Sequence, residues 1–166
     1  MGKRILIVNV NWVGDVLFST PFIRAVRDAN PGAFIACLLH PRCKEMLEVN
    51  PRLNEIIIYD EELAHKSLPG KWRLTRELKE KKFDTVFMLH RSFTKALIAY
   101  MAGIKERIGY PTKNRGGMLT KVIEEPSEEL HKVDYFLNIA RAYGMDPESA
   151  SYEFFFTDED REFARG

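Results

Sequence analysis

Cysteine is scarce in this chain: Cys37 and Cys43 are the only two of 166 residues, too few for a disulfide framework. With His40 they form the spacing Cys37-x-x-His40-x-x-Cys43, which matches no common zinc site and offers no fourth ligand. No metal is therefore expected, and Cys37, set in an apolar run, reads as core. An excess of one charge sign is missing too. The 25 Lys and Arg residues against 24 Asp and Glu leave +1, which argues against a protein held to nucleic acid by bulk charge. No apolar run approaches the roughly 20 residues that cross a bilayer. The run after Lys3-Arg4 is about six residues long and has no small-residue cleavage site, so it reads as a first strand and not a signal peptide. A cytoplasmic protein fits these absences. Gly-x-Gly-x-x-Gly and the Walker loop are also absent, so a nucleotide is not expected to sit in the usual Rossmann manner.

What is present is a chain of ordinary globular composition, 45% apolar and 30% charged, long enough for one domain with a core. Strand and helix patterns alternate. Short apolar runs at residues 4–9, 33–39, 55–59, 85–89 and 107–109 read as strands. Helical spacing follows Gly14, with Phe22, Ile23, Val26 and Ala29 on one face, and recurs at residues 41–48, 72–82, 92–101 and 131–143, the last closed by Gly144. Thr20-Pro21 either starts a new helix with Thr20 as cap or kinks an earlier one. Residues 60–71 are polar and irregular, with Pro69-Gly70 as a turn. Residues 110–118 look like a surface loop, and 152–156 form a final apolar run. The alternation implies an α/β domain, a Rossmann-like, mostly parallel sheet with helices on both faces. Its expected extent is 1–156. At 157–166 a helix capped by Thr157-Asp158 has barely begun, which suggests the start of an interdomain helix in a longer protein; a natural tail is the alternative.

Ligands of such sheets bind at the carboxyl ends of strands, which turns attention to Asn9-Val10-Asn11-Trp12-Val13-Gly14-Asp15 after the first strand. Asp15 has two readings. It is a helix-start carboxylate that accepts backbone N–H groups and complements the dipole, or a general base facing a hydroxyl. Ser92 is placed to cap the helix after the fourth strand, with Arg91 before it and Lys95 one turn inside. Arg107, Lys113 and Arg115 flank the following loop. These cations either converge on an acidic ligand, Arg being suited to bidentate carboxylate or phosphate contacts, or are solvated surface charge. Trp12 is a stacking platform or a packing residue. His131 opens a helix and reads as a cap. The basic helix at 72–82 is a solvated face that leans, at most, on an anionic membrane surface.

Asn11-Trp12-Val13-Gly14-Asp15, followed by Ser19-Thr20-Pro21, resembles the opening of the bacterial ADP-heptose:lipopolysaccharide heptosyltransferases, heptosyltransferase II in particular. So do Arg91-Ser92-Phe93-Thr94-Lys95-Ala96-Leu97, Met101-Ala102-Gly103-Ile104, Arg107-Ile108-Gly109-Tyr110, and His131 with Tyr135. The resemblance implies the N-terminal half of a two-domain GT-B glycosyltransferase. This half would hold the lipopolysaccharide inner-core acceptor, and an absent C-terminal domain would bind the donor ADP-heptose, with no cofactor. Asp15 matches the family's base in an inverting transfer. Asn11, Trp12, Gly14, Ser92 and Lys95 fall near the acceptor, and Lys95, Arg107, Lys113 and Arg115 would cluster around its carboxylates and phosphates. The loop at 110–117 departs from the family pattern, which leaves the acceptor's identity open. The resemblance also implies peripheral contact with the inner face of the inner membrane. Two other readings stand beside it: an NAD- or nucleotide-binding Rossmann domain of an oxidoreductase, and a non-catalytic anion-binding module.

Overall fold

The computed structural model describes residues 2–166. Six strands form one parallel sheet: β1 (Arg4–Val8), β2 (Phe34–Leu39), β3 (Glu55–Ile58), β4 (Thr85–Met88), β5 (Glu106–Gly109) and β6 (Lys121–Val122), in the order β3-β2-β1-β4-β5-β6. In β1 both alternating sets, Ile5 with Ile7 and Leu6 with Val8, are buried. That is why it reads as a continuous apolar run: a central parallel strand is covered on both faces.

The helices are α1 (Val13–Phe18), α2 (Thr20–Ala29), α3 (Lys44–Leu47), α4 (Leu68–Glu80), α5 (Phe93–Met101), α6 (Lys132–Tyr143) and α7 (Asp158–Arg165). On one face Ile5, Ile7, Ile35 and Phe87 pack with Phe22, Ile23 and Val26 of α2 and Phe136 and Leu137 of α6. On the other, Leu6, Val8, Val86 and Met88 pack with Leu74 and Leu78 of α4 and Ala96 and Ala99 of α5. Each fully buried Leu, Ile or Phe contributes about 1.5–3 kcal/mol relative to exposure, so the two layers hold the sheet from both sides. The chain leaves β1 toward one layer and β4 toward the other. The β1–β4 boundary is thus the topological switch point, where parallel sheets open a crevice beyond the carboxyl ends.

Several local expectations change. Thr20-Pro21 begins a second helix, with Pro21 in its first turn, but Thr20 is not the cap. Its Oγ1 donates back to the Leu17 carbonyl at 2.8 Å, and the N-cap position belongs to Ser19, which makes no side-chain cap bond. Pro69-Gly70 is not a free turn. Ser67 accepts from the Gly70 N–H at 3.2 Å and α4 starts at Leu68. Proline in a first helical turn costs nothing, since its missing N–H is an orphan there. Gly70 is required sterically, because a Cβ would lie 2.4 Å from the Ala64 carbonyl oxygen. The two-residue β6 lacks any apolar pattern and was not legible. Residues 152–156 form neither helix nor strand and lie outside the sheet. They follow a segment strapped across α2: Arg24 donates to the carbonyls of Ser149 and Ser151, each at 2.9 Å, and the Glu153 N–H to Thr20 Oγ1 at 2.9 Å. The Glu153 carboxylate pairs with Arg24 at 3.1 Å and with Arg52.

Candidate active site

The turn after β1 is set by Asn9, a buried side chain. Its Oδ1 accepts from the Val10 N–H and its Nδ2 donates to Ser19 Oγ, both at 2.8 Å. This ties the end of β1 to the junction between α1 and α2. Trp12 takes the N-cap position without a capping bond and is 65% exposed as a residue, with the Arg42 guanidinium 5.0 Å from the ring centroid. Arg42 is itself held by Glu62 at 2.9 Å. A cation over the ring of an exposed tryptophan gives a flat apolar surface with a charged edge. At Gly14 an added Cβ would meet no protein atom within 4 Å, so the protein's own packing does not demand glycine there.

Asp15 lies in the first turn of α1, where its charge complements the helix dipole. The capping half of the sequence reading fails, however. Among the described residues its carboxylate accepts no hydrogen bond, and its one ionic neighbour is Lys132 Nζ at 3.9 Å, with the Asp15 side chain 27% exposed. Lys132 is delivered by the start of α6. There His131 acts as the expected cap, accepting from the Val133 N–H at 3.3 Å while its ring meets Phe18 edge-on at 5.0 Å. A carboxylate with both oxygens uncommitted to the fold is free to accept a proton or hydrogen bond from a ligand hydroxyl.

Across the switch point, Ser92 caps α5 by accepting from the Lys95 N–H at 3.3 Å. The Lys95 ammonium, its side chain 3% exposed, then reaches back to β1's turn. It donates to Asn11 Oδ1 at 2.8 Å, pairs with Glu61 at 3.3 Å and sits 5.4 Å from the Tyr59 ring centroid. Asn11 Nδ2 closes the ring onto Glu61 at 3.4 Å. Burial pushes the Lys95 ammonium below its ordinary range, and Glu61 opposes that through charge and hydrogen bonding. Glu61 escaped the sequence reading because it sits in the irregular stretch after β3, where nothing periodic marks it.

The remaining cations divide. Arg115 is wholly buried and is no surface ligand. Its Nε donates to the Tyr110 carbonyl at 2.8 Å, and Nη1 donates to those of His90 and, at 3.3 Å, Ser92; Nη2 has no partner among the described residues. Burial lowers its pKa to about 10. It therefore clamps the loop after β5 onto the loop after β4, helped by Thr112 Oγ1 donating to the Arg91 carbonyl at 3.1 Å. The expected surface loop is pinned at those points. Arg107 also leaves the candidate set. Its guanidinium donates to the carbonyls of Ile104 and Met118, each at 2.5 Å, both ahead of the strands they precede and so toward the opposite end of the sheet. Lys113 is exposed in a left-handed backbone conformation, φ 51°, on the same loop as Arg115. Arg91 pairs with Glu125 at 3.3 Å.

His90, just past the end of β4, also escaped notice. Its backbone N–H donates to the Val8 carbonyl at 3.2 Å, and its Nδ1 accepts from the Ser92 N–H at 3.0 Å. Burial, then the charges of Lys95, Arg115, Lys113 and Lys132, hold its pKa down to about 3. The expected core role of Cys37 stands: it is fully buried, and desolvation raises its thiol to about 12. Among the described residues no group of three or more His, Cys, Asp or Glu side chains is placed to hold a metal.

A parallel sheet with one uncommitted carboxylate and several cations at its switch point defines a Rossmann-like domain with an anion-friendly crevice. The model of glycosyltransferase family 9 (heptosyltransferase) matches residues 71–165, and the chain belongs to that family. Lipopolysaccharide heptosyltransferase 2 of Escherichia coli (strain K12) is 32% identical over 121 residues, which is 72% of this chain and 34% of that protein. The crystal structure of the glycosyl transferase family 9 protein from Veillonella parvula DSM 2008 superposes with a TM-score of 0.87 at 25% identity, covering 98% of this chain and 48% of that one. The structure of E. coli ADP-heptose lps heptosyltransferase II gives 0.74 at 25% identity, over 97% and 49%. The chain thus spans about a third to a half of the length of these relatives.

Proposed function

We propose that this chain is the acceptor-holding, N-terminal half of an inverting GT-B glycosyltransferase that moves heptose from ADP-heptose to the lipopolysaccharide inner core. The observation that carries this reading is Asp15: a partly exposed carboxylate at the switch point, free of hydrogen bonds to the fold among the described residues. In the reaction the acceptor hydroxyl oxygen attacks the anomeric carbon as the bond to ADP breaks, through an oxocarbenium-like transition state. The hydroxyl proton passes to Asp15 and ADP departs with the bonding electron pair. Lys132 supplies positive charge 3.9 Å from Asp15, and Lys95, hydrogen-bonded to Asn11, adds to it for an acceptor bearing carboxylate or phosphate. Trp12, Asn11, Gly14 and Ser92 shape the floor, and Lys113 reaches the rim. No cofactor takes part. The donor binds mainly to a second domain, with the helix from 157 onward leading toward it.

The lone Gly14 in the turn after β1 weighs against the NAD-domain reading, since a pyrophosphate needs close backbone approach there. No helix among the described residues is long and apolar enough to cross a membrane. Peripheral association at the inner face of the inner membrane is supported by α4, where exposed Leu68 and Trp72 stand among Lys71, Arg73 and Arg76. The test is Asp15→Asn in a protein joining this chain to a family donor domain. Turnover with ADP-heptose should fall by about 10²–10⁴-fold while acceptor KM changes little. An unchanged turnover would remove Asp15 from the chemistry.

A further inference from the structure

His90 lies two residues past β4 at the switch point, and its backbone is tied to the end of β1 through the Val8 carbonyl. The Ser92 amide can only donate, so Nδ1, 3.0 Å away, must accept. In the neutral imidazole the proton then resides on Nε2. That atom has no protein partner among the described residues, and the His90 side chain is only half-buried. Arg115 is bonded to the His90 carbonyl, and the charges of Lys95, Lys113 and Lys132, the last being the neighbour of Asp15, also act on the ring. We infer that His90 is a binding residue of the acceptor crevice, donating a hydrogen bond from Nε2–H to an oxygen of the anionic acceptor sugar; this rests on the acceptor-domain reading above. Desolvated by burial, and then opposed by these cations, the ring stays neutral across the working range. It serves as a donor of fixed tautomer and does not relay protons. Unlike the lysines it offers one directed N–H, which suits a particular oxygen and not a diffuse charge.

Asparagine and glutamine separate the two ring nitrogens. His90→Asn keeps an acceptor where Nδ1 meets the Ser92 N–H but removes the donor at Nε2. His90→Gln places an amide N–H where Nε2 was and gives up the Nδ1 contact. The measurement is binding of deacylated inner-core oligosaccharide to the 166-residue chain, with imidazole ¹⁵N spectra recorded during the titration. The expected result is a protonated Nε2 whose resonance moves on saturation, with affinity lost about tenfold in the Asn variant and retained within about threefold in the Gln variant. Binding by wild type with the Nε2 resonance unmoved, or by the Asn variant at wild-type strength, overturns the role of His90 and leaves the acceptor-domain reading intact. A proton found on Nδ1 overturns it as well. Failure of wild type and both variants to bind overturns both.

Discussion

Replacing Lys95 with methionine separates a ligand-binding lysine from a structural one. The side chain is 3% exposed, and its partner Glu61, 3.3 Å away, is 35% exposed. At the effective dielectric constant of about 20 that suits such pairs, attraction at that distance is roughly 5 kcal/mol. Taking an ammonium out of water costs several kcal/mol in return. The two nearly cancel, and the lowered ammonium pKa, set first by burial, shows desolvation ahead. Methionine fills a similar volume without the charge. With Glu61 part-exposed and able to turn to water, urea unfolding should therefore find Lys95→Met within about 1 kcal/mol of wild type. The same variant should bind inner-core oligosaccharide about 10–100-fold more weakly, the worth of a charge-assisted hydrogen bond. A loss of more than about 3 kcal/mol in stability with unchanged binding would show that the lysine serves the fold, and would refute the argument.

Two further outcomes follow from the other charged groups. Because the folded pKa of His90 lies near 3, below its ordinary 6.5, its neutral form stabilises the fold fully above 6.5, and that stability drains away as pH falls toward 3. From pH 7 to pH 5 the loss is about 2 kcal/mol. Urea titrations at both pH values should show this loss in wild type and not in His90→Asn; equal losses would contradict it. Glu153→Gln should cost about 1–2 kcal/mol at neutral pH. Burial raises the Glu153 pKa, but hydrogen bonds and charge from Arg52 and Arg24 outweigh it and leave the pKa lowered. The penalty should then shrink as pH drops below about 4.5, and a thermal melt series that shows no such convergence would count against the strap across α2.

The sequence by itself determined whatever depends on neighbours along the chain. The central strands were legible because burial on both faces leaves an unbroken apolar run, as in Ile5 to Val8. The caps at Ser92 and His131 were legible because a side-chain oxygen or nitrogen meets an N–H two or three residues on. It also placed Asp15 and Lys95 at strand–helix junctions, and so at one edge of the sheet. What each charge does there was decided by tertiary structure. Lys95 meets Asn11 across 84 residues of chain, and Arg115 meets the His90 carbonyl across 25. No local pattern distinguishes those residues from the exposed Lys113. Packing sent the Arg107 and Arg115 guanidinium groups to backbone carbonyls because buried carbonyls need donors, which removed two expected ligands. It brought Lys132 to Asp15 and Glu61 to Lys95, and it turned His90 into a neutral donor. A carboxylate's role as cap or base depends on which N–H groups and cations lie within about 4 Å, and only the folded chain sets that distance.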